Sequence, residues 1–154
     1  MKQIKYNHYT ETIIYSIDMI LRGLKQELRQ RIDSLGIAVT GEQFVVLDTI
    51  SRYKNIYQQK LAEILMKDKS NIMRILKILE EKKLISRTVS SVSNRLVYML
   101  NVTEEGQRII NETIPKMKQF ITEIFVNISD EEVELLHSLS NKFQSDLSKV
   151  QTSL

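Results

Sequence analysis

Ser70, Asn71 and Arg74 stand within five residues of one another, with Lys69 before them and Lys77 after. Arginine pairs with guanine, asparagine with adenine and serine with either on the major-groove edges of base pairs, while lysine supplies charge against phosphate. At about 100° per residue of helix, Ile72, Ile75, Leu76 and Leu79 cluster on one side. Nearly opposite them lie Ser70, Arg74, Lys77 and Glu81, with Asn71 and Met73 on the flanks. Any surface helix has an apolar and a polar face, so Arg74 or Lys77 taken alone reads first as a solvated cation. Two more cations, Arg87 and Arg95, flank the turn-forming run Ser91 to Asn94. They could reach phosphates or enter a minor groove. Residues 85–102 contain no Asp or Glu to neutralise them locally.

Bond-making chemistry has little material here. The chain has no cysteine, which excludes disulfides, thiolate metal sites, thiol redox sensing and a cysteine nucleophile. His8 and His137 are far apart, and no His, Asp or Glu cluster has metal-ligand spacing. Four glycines and one proline leave no phosphate-cradling loop, and neither a nucleophile elbow nor a triad is visible. A non-enzymatic protein without cofactor is expected. The six methionines form no stripe and read mostly as core filler, and Tyr6, Tyr9, Tyr15, Tyr53, Tyr57 and Tyr98 read as packing before ligand binding.

The elements that would position the basic residues follow from periodicity. Ile13, Ile17, Ile20, Leu21, Leu24, Leu28 and Ile32 predict a long amphipathic helix from Tyr9 to about Ser34. Thr40 with Gln43 forms a capping box for a second helix ending near Tyr53. A short helix starting at Asn55 or Tyr57 carries Leu61, Ala62, Ile64 and Leu65, and Asp68 is the expected N-cap of another reaching about Lys82. ISRTVS and RLVYMLNV, separated by SVSN, predict a two-stranded β-hairpin. Thr103 caps a long helix to about Val126 that Pro115 should bend, and Ser129 with Glu132 opens a last helix carrying Val133, Leu136, Leu139, Phe143, Leu147 and Val150. The fold class is mainly α, of α+β type. Two short helices in tandem followed by a basic hairpin have the form of a winged helix-turn-helix.

Charge is distributed accordingly. Residues 52–96 hold eleven Lys/Arg against four Asp/Glu, a balance of +7, while the remainder balances at −4. A basic middle between acidic flanks suits a polyanion-binding module on a scaffold with other work to do, and charge alone suits a lysine-rich solvated surface equally well. No apolar run is long enough to span a membrane and the N-terminal stretch lacks a secretory pattern, so a cytoplasmic protein with no membrane association is expected.

The segments VTGEQFVVL, QQKLAEILMKDKSNIMRILKILEEKKLISR and RLVYMLNVTEEG resemble, in order and spacing, the second helix, helix-turn-helix and wing of the MarR family of bacterial regulators. The resemblance extends over residues 1–154 as a single domain. It implies a DNA-binding module at 40–102 and dimerisation helices at 1–35 and 103–154. It further implies a homodimer that binds palindromic double-stranded DNA as a repressor, answering to a small-molecule effector of unidentified class. Lys69, Ser70, Asn71, Arg74, Lys77, Arg87 and Arg95 would be the DNA-binding residues. The sequence departs from the family in three places: Lys83 replaces a glycine, and Asn94 and Leu96 stand where the wing commonly has aspartate and arginine around a variable residue, here Arg95. The end of the recognition helix is thus expected either to be capped differently or to carry mild left-handed strain at Lys83, and the usual acid-arginine brace of the wing is missing. The alternative reading is a dimeric helical scaffold whose winged module binds another protein.

Overall fold

The three-to-four apolar spacing produces α1 (Ile13–Ser34), entered through a single 3-10 turn at Tyr9–Glu11. The computed structural model describes residues 7–34, 36–53, 55–92 and 95–152; of Asp33, Val92, Arg95, Gln151 and Thr152 only the backbone is described. α2 (Gly41–Arg52) opens on the expected capping box: Gln43 N–H donates to Thr40 Oγ1 at 3.4 Å, and Thr40 N–H donates to Gln43 Oε1 at 3.2 Å. A two-residue strand β1 (Ile56–Tyr57) precedes α3 (Gln58–Ile64), whose N-cap is Tyr57. Asp68 Oδ1 accepts the Asn71 N–H at 2.7 Å and starts α4 (Lys69–Glu81). β2 (Ile85–Val92) and β3 (Arg95–Val102) then form the hairpin.

The sheet is antiparallel in the order β1-β3-β2, so the expected two-stranded wing acquires a short third strand at its base. Ile56 opposes Leu100 in that added pair, and Arg87, Val89 and Ser91 oppose Leu100, Tyr98 and Leu96 in the hairpin. Side chains of Ile85 and Leu100 close the core at the root of the sheet. Towards the tip the same strands lose their cover: Val89, Tyr98 and Leu96 are all exposed.

Val46 and Leu47 of α2, Leu61 of α3 and Ile72, Ile75, Leu76 and Leu79 of α4 are at most 1% exposed and hold the helix-turn-helix together. Burying each such side chain contributes about 1.5–3 kcal/mol. The methionine expectation is corrected here, since Met19, Met66 and Met73 are exposed. Met66 occupies the left-handed corner after α3, at φ 49°, and its side chain is exposed there.

α5 (Glu104–Ile124) starts at Thr103, whose Oγ1 accepts the Gly106 N–H at 3.1 Å. It continues as one helix through Pro115. α6 (Asp130–Thr152) opens on a second capping box, with Ser129 N–H donating to Glu132 Oε2 at 2.8 Å and Glu132 N–H to Ser129 Oγ at 3.3 Å. Internal contacts divide the chain into two compact units, one ending at Thr113 and one beginning at Ile114. In the first, α1 leaves Ile13, Ile17, Ile20 and Leu21 exposed and buries Ile32. In the second, the α6 stripe of Leu136, Leu139, Phe143, Leu147 and Val150 is exposed along its length.

Candidate nucleic-acid interface

The apolar face of α4 is sealed against α2 and α3, which fixes what its other face can present. Ser70, Arg74 and Lys77 are exposed and Asn71 is half-buried, the disposition expected from the helical wheel. Arg74 Nη2 donates to Asn71 Oδ1 at 3.1 Å, so the two side chains best suited to base edges are already aligned as a pair. Lys77 Nζ lies 3.9 Å from Glu81 Oε1, but with 76% of the Lys77 side chain exposed this pair is worth little and leaves the cation free for another anion. Lys69 is exposed at the first turn of α4. With Tyr57, Gln58, Gln59, Val97 and Tyr98 it lines an open cleft of about 240 Å³. Tyr57 and Tyr98, expected to serve packing before ligand binding, both line this cleft; Tyr98 shares the β3 face of buried Leu100 but lies beyond the root of the sheet, where that face is exposed.

The C-terminal end of α4 is tied down from three directions. Lys82 Nζ donates to the Ala38 carbonyl and, at 3.2 Å, to Gln43 Oε1, attaching this end to the capping box of α2. Thr103 Oγ1 donates to the Lys83 carbonyl at 2.8 Å, and Thr103 N–H donates to the Leu84 carbonyl at 3.0 Å, attaching it to the start of α5. Gly106 allows that approach: a Cβ there would lie 2.2 Å from the Leu84 oxygen. The third tie is Arg87, whose Nη2 lies 3.0 Å from Glu80 Oε2.

Arg87 therefore does have an acid. The absence of Asp and Glu from the hairpin misled because the partner comes from the preceding helix. The register explains it: Arg87 shares the β2 face of buried Ile85 and stands opposite buried Leu100, so its side chain is directed to the end of α4. Its side chain is 24% exposed, which makes it the least accessible of the expected contact residues with described side chains that form ion pairs. Arg95 begins β3 opposite Val92, and its side chain lies outside the described residues, as does Asn94. Leu96, where the resemblance would place an arginine, is 83% exposed.

Lys83 adopts φ 59°, the strain expected of a non-glycine residue there. Leu84 N–H donates to the Leu79 carbonyl and Lys83 N–H to the Glu80 carbonyl, both at 2.9 Å, completing a Schellman motif around it. Met66 repeats the pattern after α3, with Lys67 N–H donating to Ala62 and Met66 N–H to Glu63. Among the described residues no group of three or more His, Cys, Asp or Glu is placed to hold a metal ion. No helix among them is long and apolar enough to cross a membrane.

The arrangement is thus a short helix exposing polar and basic groups near its N-terminus, anchored at its other end and followed by a projecting hairpin. Such a unit can enter a duplex groove without rearranging its core. Comparison with known proteins agrees with this geometry. A sequence model of the MarR family matches residues 39–97. An uncharacterized HTH-type transcriptional regulator of Bacillus subtilis, YsmB, is 24% identical over 126 residues, covering 82% of this chain and 84% of its own. The fold is similar to that of MepR from S. aureus in a DNA complex, with a TM-score of 0.76 at 23% identity over 91% of this chain and 99% of that one. It is similar also to a MarR/EmrR family regulator from Acinetobacter sp. ADP1, with a TM-score of 0.78 at 22% identity over 88% and 94%.

Proposed function

The chain carries a MarR family domain, and from that premise we propose that it is a homodimeric repressor of transcription that binds a palindromic duplex site. Each subunit would lay the N-terminal half of α4 in the major groove, with half-sites about one helical turn apart. Lys69, Ser70, Asn71 and Arg74 face the bases or the adjoining phosphates, Lys77 the phosphates, and Arg95 the neighbouring minor groove. The observation that carries this reading is the opposition on α4 itself: four apolar residues at most 1% exposed on one face, and an exposed Ser70, Arg74 and Lys77 on the other. The S. aureus relative solved with DNA supports the same use of the fold.

Binding to duplexes selected from the source genome, measured by fluorescence anisotropy over a range of salt, tests it. A nucleic-acid contact made through these cations gives a logarithmic affinity falling linearly with logarithmic salt, by about 0.9 for each phosphate neutralised. A selected duplex bound no better than a scrambled one, with no dependence on salt, would instead favour the protein-partner scaffold.

Control by a small-molecule effector belongs to the same proposal. An effector can act only by binding one arrangement of the dimer better than another. With no cysteine in the chain, thiol oxidation is not the trigger. If phenolic, lipid-like and metal ligands all leave DNA affinity unchanged in a screen, the sensor role falls while the DNA-binding role stands.

A further inference from the structure

The hairpin is held at its root and free beyond it. Ile85 and Leu100 are buried, whereas Val89, Tyr98 and Leu96 are 66%, 59% and 83% exposed. β1 pairs only with Leu100 and Met99, at the same root. Among the described residues the Glu80–Arg87 ion pair is the one that joins α4 to the hairpin. Arg87 is committed to it: its side chain is 24% exposed, and its Nε is buried without a hydrogen-bond partner. A guanidinium in that setting needs a carboxylate, because taking away the acid leaves a largely desolvated charge.

We propose that Glu80 and Arg87 form a strut that sets the angle between the recognition helix and the wing, and that Arg87 is a positioning residue instead of a nucleic-acid contact. The geometry gives the reason. From Arg87 to the last residue of β2 is five residues, a lever of roughly 17 Å at about 3.3 Å per residue. A tilt of about 10° at the root would carry the tip through roughly 3 Å, half the width of a minor groove of about 6 Å. Buried Ile85 and Leu100, the β1 pairing and the Thr103 hydrogen bonds hold the root, and the strut fixes the tilt of the hairpin that remains about it.

The consequence for DNA rests on the repressor reading, so the experiment has one arm that does not. The chain has no cysteine, so Met73→Cys and Ser91→Cys, both at exposed sites, admit one pair of spin labels per subunit, and dilution of labelled with excess unlabelled protein isolates the distance within a subunit. Pulsed electron resonance on the free protein should give a distance distribution that broadens or shifts by about 3 Å on Glu80→Gln, following the lever above. On DNA, unlabelled Glu80→Gln should lose about fivefold in affinity, the upper range for a partly exposed ion pair, on a duplex long enough to meet the wing. On a duplex trimmed to the recognition-helix contacts it should stay within about twofold of the parent. The charge-exchanged variant Glu80→Arg/Arg87→Glu should recover part of the loss. An unchanged distance distribution overturns the strut, and so does an equal loss on both duplexes. If the parent protein binds neither duplex, the repressor reading fails and the spin-label arm alone decides the strut.

Discussion

Arg74 and Lys77 lie on one exposed face of α4, one turn apart, and they should fail differently when removed. Arg74 is paired with Asn71 near the helix start, the end of α4 that we propose reads base edges. Arg74→Ala should cost on the order of 1–3 kcal/mol on the specific site and relax discrimination at one base pair. Lys77→Ala should weaken specific and scrambled duplexes alike and lower the salt slope by about one. Titrations of both variants on both duplexes at several salt concentrations separate the two, and an unchanged specificity ratio for Arg74→Ala would remove it from the reading face. These exposed residues were legible in the sequence because the 3.6-residue period relates them directly to the buried set. Arg87 was not, since its partner Glu80 lies in another element and no local spacing announces the pair. Nor did residue type reveal that Met66 and Met73 are exposed, because a flexible apolar side chain is found on either face.

The connections between elements carry the strain. Lys83 and Met66 each occupy the left-handed position that ends a Schellman motif, at φ 59° and 49°. A side chain there is disfavoured by roughly 1 kcal/mol or more relative to glycine, partly offset by the entropy glycine loses on folding. Lys83→Gly should therefore stabilise the protein by about 0.5 kcal/mol, seen as a raised melting temperature by circular dichroism; a lowered one would mean that the lysine makes a compensating contact. The opposite sign is expected at Gly106, where an added Cβ meets the Leu84 oxygen at 2.2 Å and Val102 Cγ1 at 2.8 Å. Gly106→Ala should destabilise by about 1–3 kcal/mol in denaturant unfolding, since the Leu84 backbone and the first turn of α5 must move apart. The element boundaries themselves were legible wherever a cap is local, as at Thr40, Asp68 and Ser129. β1 escaped because two residues have no period, and Ile56 becomes a strand only by meeting Leu100 across the chain.

At the scale of the molecule, the unburied apolar stripes are the largest unresolved demand. Leu136, Leu139, Phe143, Leu147 and Val150 on α6, and Ile13, Ile17, Ile20 and Leu21 on α1, are all at least 40% exposed. Stripes of that length favour association of two copies. Light scattering at micromolar concentration should return about twice the 18.0 kDa chain mass. A stable monomer would remove the two-fold symmetry on which a palindromic site depends. A further consequence lies in α5. Pro115 has no amide hydrogen, so the Asn111 carbonyl loses its usual donor, and this missing rung lies two residues beyond the boundary between the two compact units at Thr113. Ile109, Ile110 and Thr113 are buried before it, while Phe120 is the buried residue after it within the helix. In deuterium exchange the amides up to Thr113 should open only with the winged module, whereas those from Lys116 to Ile124 should take up label earlier and as a separate group. One continuous helix would then keep two independent clocks, divided by its single imino acid.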